Sequence, residues 1–284
     1  MQPITHAEIQ RAVRVALAED VGAGDATTLA TVPESARAAG ILHPREPLVL
    51  AGLEFATATF HELDVAVESE RLAQDGQRVA AGEAVLRVAG PARALLTAER
   101  VALNFLQHLS GVATLTARFV AAIQGTKAQM LDTRKTTPGW RHFEKYAVAC
   151  GGGKNHRFGL FDQILIKDNH LVALRDEAPN AIAAAVQRAR AAFPSLKVEV
   201  EADTLEQVRQ AADAGADIIL LDNMDVASLR AAVGIIAGRA RSEASGGVTL
   251  ETVRAIAETG VDFISVGALT HSARAVDLGF DFEL

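Results

Sequence analysis

The chain of 284 residues holds one cysteine, Cys150, one tryptophan and one tyrosine, and only 5% of it is aromatic. A lone cysteine cannot close an internal disulfide, so no cross-linked secreted scaffold is encoded, and the reducing cytoplasm is the expected compartment. Long apolar runs are missing as well: Ile218 to Leu221 falls far short of the roughly 18 residues that span a bilayer. The segment from Met1 to Asp20 lacks the apolar core of a cleavable leader, so export is not expected. Positive charge is scarce, with 28 lysines and arginines against 35 acidic residues and a formal net charge of −7, which argues against a dedicated nucleic-acid binder. No G-x-G-x-x-G follows a first strand, which weakens a doubly wound dinucleotide fold. What is present, 49% hydrophobic and 22% charged residues, is the composition of a globular protein of one to two domains, with an enzyme as the expected class.

The first hundred residues differ in texture from the rest. Thr5-x-x-Glu8 is a capping box with Ile4 and Ile9 placed for a hydrophobic staple, so a helix is predicted from His6 to about Glu19. Short apolar segments at Gly40–His43, Leu48–Leu53, Val65–Val67 and Val85–Val88, with a helical stretch at Leu53–Leu63, predict a small α+β unit on an antiparallel sheet. A long helical pattern, bent near Gly111, runs from Ala92 to about Gln124 as a bridge. Beyond Lys127, short strands (Gln163–Ile166, Lys197–Val200, Asp217–Leu221, Asp262–Val266) alternate with helical runs at Asn180–Ala192, Thr204–Ala214, Val226–Ile236 and Leu250–Glu258. That order implies a parallel sheet. Glu201, Asp222, Ser245 and Gly267 sit at predicted strand ends, at intervals of 21, 23 and 22 residues. In an α/β barrel such ends share the face that carries chemistry.

Between Asp132 and His170 stand seven basic residues (Arg134, Lys135, Arg141, Lys145, Lys154, Arg157, Lys167) and four acidic ones. In an acidic chain this is either a focused site for a small polyanion or a solvated loop. Thr133-Arg134-Lys135 follows a strand-like segment; arginine offers a planar fork to a carboxylate, lysine a point charge to carboxylate or phosphate. Gly151-Gly152-Gly153 reads as a hairpin turn that presents His156 and Arg157 together. Lys167 is open to three readings: Schiff-base nucleophile, electrostatic clamp, or salt-bridge partner of Asp168. Glu201 and Asp222 suit a shared Mg²⁺ ion, a general acid/base pair, or an arginine partner. A glycoside hydrolase would also use two carboxylates, but leaves the cations unexplained. Glycines at two successive strand-to-helix turns, Ser245-Gly246-Gly247 and Val266-Gly267-Ala268, have the form of a phosphate cradle.

Taken in order, Thr133 to Gly139, Gly151 to Arg157, Leu165 to His170, Val198 to Glu201, Leu221 to Met224, Glu243 to Gly247 and Ser265 to His271 resemble the quinolinate phosphoribosyltransferase family, as do Ala98 to Asn104 and His108 to Gly111. The resemblance covers nearly the whole chain. It implies an N-terminal α/β-sandwich domain at residues 1–110 and an incomplete, roughly seven-stranded α/β barrel at 111–276, with about 277–284 returning to the first domain. It implies transfer of the phosphoribosyl group of 5-phosphoribosyl-1-pyrophosphate (PRPP) to quinolinate with loss of CO₂, using Mg²⁺, to give nicotinate mononucleotide and pyrophosphate for NAD synthesis. By the same resemblance, Arg134, Arg157 and Lys167, with Thr133, Lys135 and His156, bind the dicarboxylate. Lys135, Glu201 and Asp222 are the expected catalytic residues, with Glu201 and Asp222 also holding the metal. Ser245, Gly246, Gly247, Val266, Gly267 and Ala268 are expected to take the 5′-phosphate, and Arg100 to enter the site of a partner subunit. A homodimer is thus the expected active unit, and a hexamer is left open. The alternatives are a relative acting on nicotinate or another aromatic acid, a Schiff-base aldolase using Lys167, and a non-catalytic binding protein.

Overall fold

The computed structural model describes residues 3–283. Its contacts divide the chain into two compact units, one of Met1–Ala117, Pro138–Gly152 and Ser272–Leu284, the other of Arg118–Thr137 and Gly153–His271. The division departs from the expected boundaries chiefly at residues 138–152, which group with the first unit rather than with the barrel.

Elements are numbered along the chain. The first unit opens with α1 (His6–Val21), where the Thr5 hydroxyl accepts from the Glu8 N–H and the Glu8 carboxylate accepts from the Thr5 N–H, the reciprocal cap read in the sequence. There follow α2 (Ala26–Thr31), β1 (Arg37–Pro44), β2 (Leu48–Val49), α3 (Leu53–Leu63), β3 (Glu68–Arg71), β4 (Arg78–Val79), β5 (Leu86–Pro91) and α4 (Ala92–Ala122). β1 and β5 alternate between buried and more exposed positions, as half-buried antiparallel strands do. The strand expected at Val65–Val67 lies slightly later, as β3; its residues are mostly polar and exposed, so no apolar alternation marks it. α4 runs through Gly111 without interruption. The glycine serves close approach there: a Cβ would lie 2.1 Å from the Arg274 carbonyl oxygen.

The triple glycine also departs from expectation. It ends a helix, α5 (Arg141–Cys150), with Gly151 at the cap and Gly152 at φ +86°, instead of turning a hairpin. The last strand, β12 (Leu278–Phe282), pairs antiparallel with β1, completing a four-stranded sheet in the order β12-β1-β5-β3. Phe60, Leu42, Leu86, Leu95 and Leu106 centre the apolar cluster of this unit.

The second unit holds β6 (Gln129–Leu131), β7 (Ile164–Ile166), β8 (Val198–Ala202), β9 (Ile218–Asp222), β10 (Arg241–Ser245) and β11 (Phe263–Ser265), all parallel, in the order β6-β11-β10-β9-β8-β7. Lys154 adds one parallel bridge to Leu131 beside β6, a seventh position. No ladder joins that position to β7 among the described residues, so the barrel is incomplete. The intervening helices are α6 (Asp168–Val172), α7 (Ala181–Ala192), α8 (Leu205–Asp213), α9 (Val226–Ile236), α10 (Val253–Ala257) and α11 (Ala268–His271). Among the described residues no helix is long and apolar enough to cross a membrane.

Candidate functional site

Where the parallel strands of the second unit end, their last residues and the following loops line a cavity of about 610 Å³. Thr133, Arg134 and Lys135 come from the loop after β6, Lys167 directly follows β7, Glu201 lies near the end of β8, and Asp222 and Ser245 close β9 and β10. Val266, Gly267 and Ala268 follow β11, and His156 and Arg157 come from the segment after the Lys154 bridge. Every expected site residue lines this cavity except Arg100, which is exposed on α4 in the other unit.

The cationic side carries the marks of crowding. Burial, and then the charge of Arg134, hold the Arg157 guanidinium below its ordinary range, with Glu199 and Asp162 opposing. Like charges gathered in a half-buried site favour an arriving anion, and two carboxylates on one ligand relieve more repulsion than one. Lys167 does not pair with Asp168. Its Nζ lies 2.6 Å from Glu201 Oε2, across neighbouring strand ends. The carboxylate side is crowded in turn: burial first, then the charges of Glu201 and Asp203, push Asp222 above its usual range. Burial works against charge on His156, while its contact with Glu199 and the charges of Glu243 and Glu199 favour it, so this buried group of three holds a proton above the usual imidazole range.

The glycine turns are built for close approach. Gly246 and Gly247 sit at φ +93° and +59°, and a Cβ on Gly246 would fall 2.1 Å from Asn223 Oδ1. A Cβ on Gly267 would meet the Lys135 Cδ at 2.9 Å. Lys135 is placed from two sides, its N–H donating to the Thr133 hydroxyl at 3.0 Å and its carbonyl accepting from the Thr270 hydroxyl at 2.6 Å.

Models of the quinolinate phosphoribosyl transferase N-terminal and C-terminal domains match residues 25–110 and 112–281. The chain belongs to the quinolinate phosphoribosyltransferase family. It is 46% identical over 276 residues to the nicotinate-nucleotide pyrophosphorylase (carboxylating) of Mycobacterium leprae, covering 95% of each chain. A chloroplastic enzyme of the same name from Arabidopsis thaliana is 40% identical over 292 residues, covering 97% of this chain and 83% of the relative. The solved nicotinate-nucleotide pyrophosphorylase from Francisella tularensis superposes with a TM-score of 0.93 at 41% identity, over 99% of this chain and 98% of that one.

Within this phosphoribosyltransferase fold, Asn223 and Glu243 are among the cavity residues absent from the expected site set. Asn223 takes φ +54°, donates through Nδ2 to Asp222 Oδ2 at 2.6 Å, and packs against Gly246. An asparagine after a strand-end aspartate is the available signal, since Asn tolerates the left-handed region. Glu243 is wholly buried with neither carboxylate oxygen hydrogen-bonded. Its position two residues before a glycine turn says nothing of that. The donor set fits Mg²⁺: Glu201 and Asp222 offer hard oxygens at adjacent strand ends.

Proposed function

We propose that this protein transfers the 5-phosphoribosyl group of PRPP to quinolinate, releasing pyrophosphate and CO₂ and forming nicotinate mononucleotide. The reading is carried by one observation: crowded cations, paired carboxylates and two glycine turns line a single cavity. Arg134, Arg157 and Lys167 take the two carboxylates of quinolinate, and the 5′-phosphate lies on the Ser245–Gly247 and Val266–Ala268 turns. Lys167 leaves Glu201 to meet the acid, which frees the Glu201 carboxylate beside the ribose. Glu201 and Asp222 then favour the positive charge that develops at ribose C1 as the C1–O bond to pyrophosphate breaks. With PRPP bound, Glu201 and Asp222 would hold Mg²⁺, which supplies neutralisation of the departing pyrophosphate. Lys135 stands ready for the same phosphates. The pyridine nitrogen donates its electron pair to C1 and becomes positive. The C2 carboxylate leaves as CO₂ because the electron pair left on C2 adjoins that charge, and a proton takes its place. Alignment of two anionic reactants is the larger share of the task.

The active unit in this reading is a homodimer, with Arg100 of each subunit serving the cavity of the other. Its support is the family resemblance and the exposure of Arg100 on α4. Incubation with PRPP, Mg²⁺ and either quinolinate or nicotinate tests the reaction. Equal yields of pyrophosphate and CO₂ with quinolinate are expected, and none in EDTA; pyrophosphate with nicotinate alone would overturn the choice of acid. Mixing Arg100→Ala with Glu201→Gln under subunit exchange tests the dimer, because about one site in four then carries neither lesion. No recovery after demonstrated exchange would place Arg100 outside any shared site.

A further inference from the structure

We infer that three wholly buried carboxylates, Asp132, Glu199 and Glu243, are positioning residues that hold Arg157 in the cavity through His156; the inference rests on the reaction proposed above. The barrel is open between the Lys154 position and β7, so residues 155–157 gain no ladder on that side. Side chains fix them instead. Asp132 Oδ1 accepts from the His156 N–H at 2.8 Å, and Oδ2 accepts from Asn155 Nδ2 at 2.7 Å. The His156 ring bonds at both nitrogens: Nδ1 accepts from the Arg157 N–H at 2.7 Å, while Nε2 lies 3.1 Å from Glu199 Oε2 and 3.4 Å from Glu243 Oε1. From β7's side, Gln163 Nε2 donates to Glu199 Oε2 at 2.6 Å and the Gln163 carbonyl accepts from Arg157 Nη1 at 3.3 Å. The circuit spans the open edge and returns to Arg157.

The tautomer follows from the contacts. An Nδ1 that accepts carries no proton, so the ring proton is at Nε2, facing Glu199 and Glu243. The same geometry decides against a metal centre, although one ligand atom from each of His156, Glu199 and Glu243 lies within 4.8 Å of the others. A protonated Nε2 has no lone pair for an ion. Three fully buried carboxylates are costly to fold. Their common result is the placement of His156 and, through its ring, of the Arg157 backbone.

Glu199→Leu removes the acceptor for His156 and for Gln163, while Glu199→Gln keeps an acceptor oxygen. We expect the leucine variant to raise KM for quinolinate about tenfold or more, as small misplacements of a binding group do, with KM for PRPP changed less than about threefold. Glutamine should recover most of the loss. In the wild-type protein, ¹⁵N spectra of labelled histidine, assigned with His156→Gln, should show His156 protonated at Nε2 and unprotonated at Nδ1. An unchanged quinolinate KM in a folded leucine variant, equal rises for both substrates, no recovery with glutamine, or a protonated Nδ1 would each overturn the inference. Absence of any quinolinate-dependent pyrophosphate release by the wild-type enzyme would instead overturn the proposed reaction, and the ¹⁵N result would stand apart from it.

Discussion

In the antiparallel unit, Phe60, Leu42 and Leu106 centre an apolar cluster, and the buried charges Glu144 and Lys145 stand on α5, whereas the parallel unit buries Asp132, Glu199 and Glu243 on or beside strands that end at the cavity. An apolar cluster of the first kind is what hydrophobic burial produces. The second carries charge at a cost that packing does not repay, and it does so beside the cavity. The cavity belongs to the second unit, so substitutions in the apolar cluster of the first should separate stability from chemistry.

The largest effect is expected in the apolar cluster. Phe60→Ala removes a fully buried ring and should lower unfolding free energy by about 3–5 kcal/mol, read by denaturant titration. The remaining folded protein should keep its kcat. A selective loss of kcat would break the division between the units. Next, Arg134→Ala and Lys167→Ala should each lose about 1.5–3 kcal/mol of substrate binding, seen as a fall in kcat/KM for quinolinate with Tm nearly unchanged. Gly246→Ala should cost about 1–3 kcal/mol in strain, because the new Cβ meets Asn223 Oδ1 at 2.1 Å and its backbone N at 2.9 Å. That loss should appear in kcat/KM for PRPP more than in that for quinolinate.

The smallest effect is a pH dependence in the first unit. Bonds from the Thr5 N–H and hydroxyl, and from His142, hold the Glu8 carboxyl down from 4.5 to about 2. A depressed carboxyl stabilises the folded chain above the ordinary value, and the contribution fades as pH falls from about 4.5 towards 2. The Tm difference between wild type and Glu8→Gln should therefore shrink over that interval; a constant difference would show that Glu8 acts only through packing.

Much of this was legible in the sequence because the relevant signals are local. The Thr5 cap, the apolar strand Ile218–Leu221, and the regular spacing of Glu201, Asp222, Ser245 and Gly267 are properties of neighbouring residues or of a repeat. Helix α5 was hidden because its buried residues mix Phe143, Ala147 and Val148 with the charged Glu144 and Lys145, so no apolar period marks it. Strand β3 was hidden by its polar, exposed residues. The meeting of Glu199, Glu243 and His156 joins segments far apart in the chain, and no local pattern announces it. The partner of Lys167 was hidden for the same reason: Asp168 is adjacent in sequence, but Glu201 is adjacent across the sheet.

The pairing of β1 with β12 has a consequence for biosynthesis. His43 and Asp281 meet at 2.6 Å although 238 residues separate them. A ribosome releases β1 long before its neighbour exists, so one edge of the first sheet stays unpaired while the entire second unit is made. Chains generally fold in the order they emerge, and bare strand edges invite association with other chains. The first unit to appear is therefore the last to be finished, and its β1 edge stays open until β12 arrives.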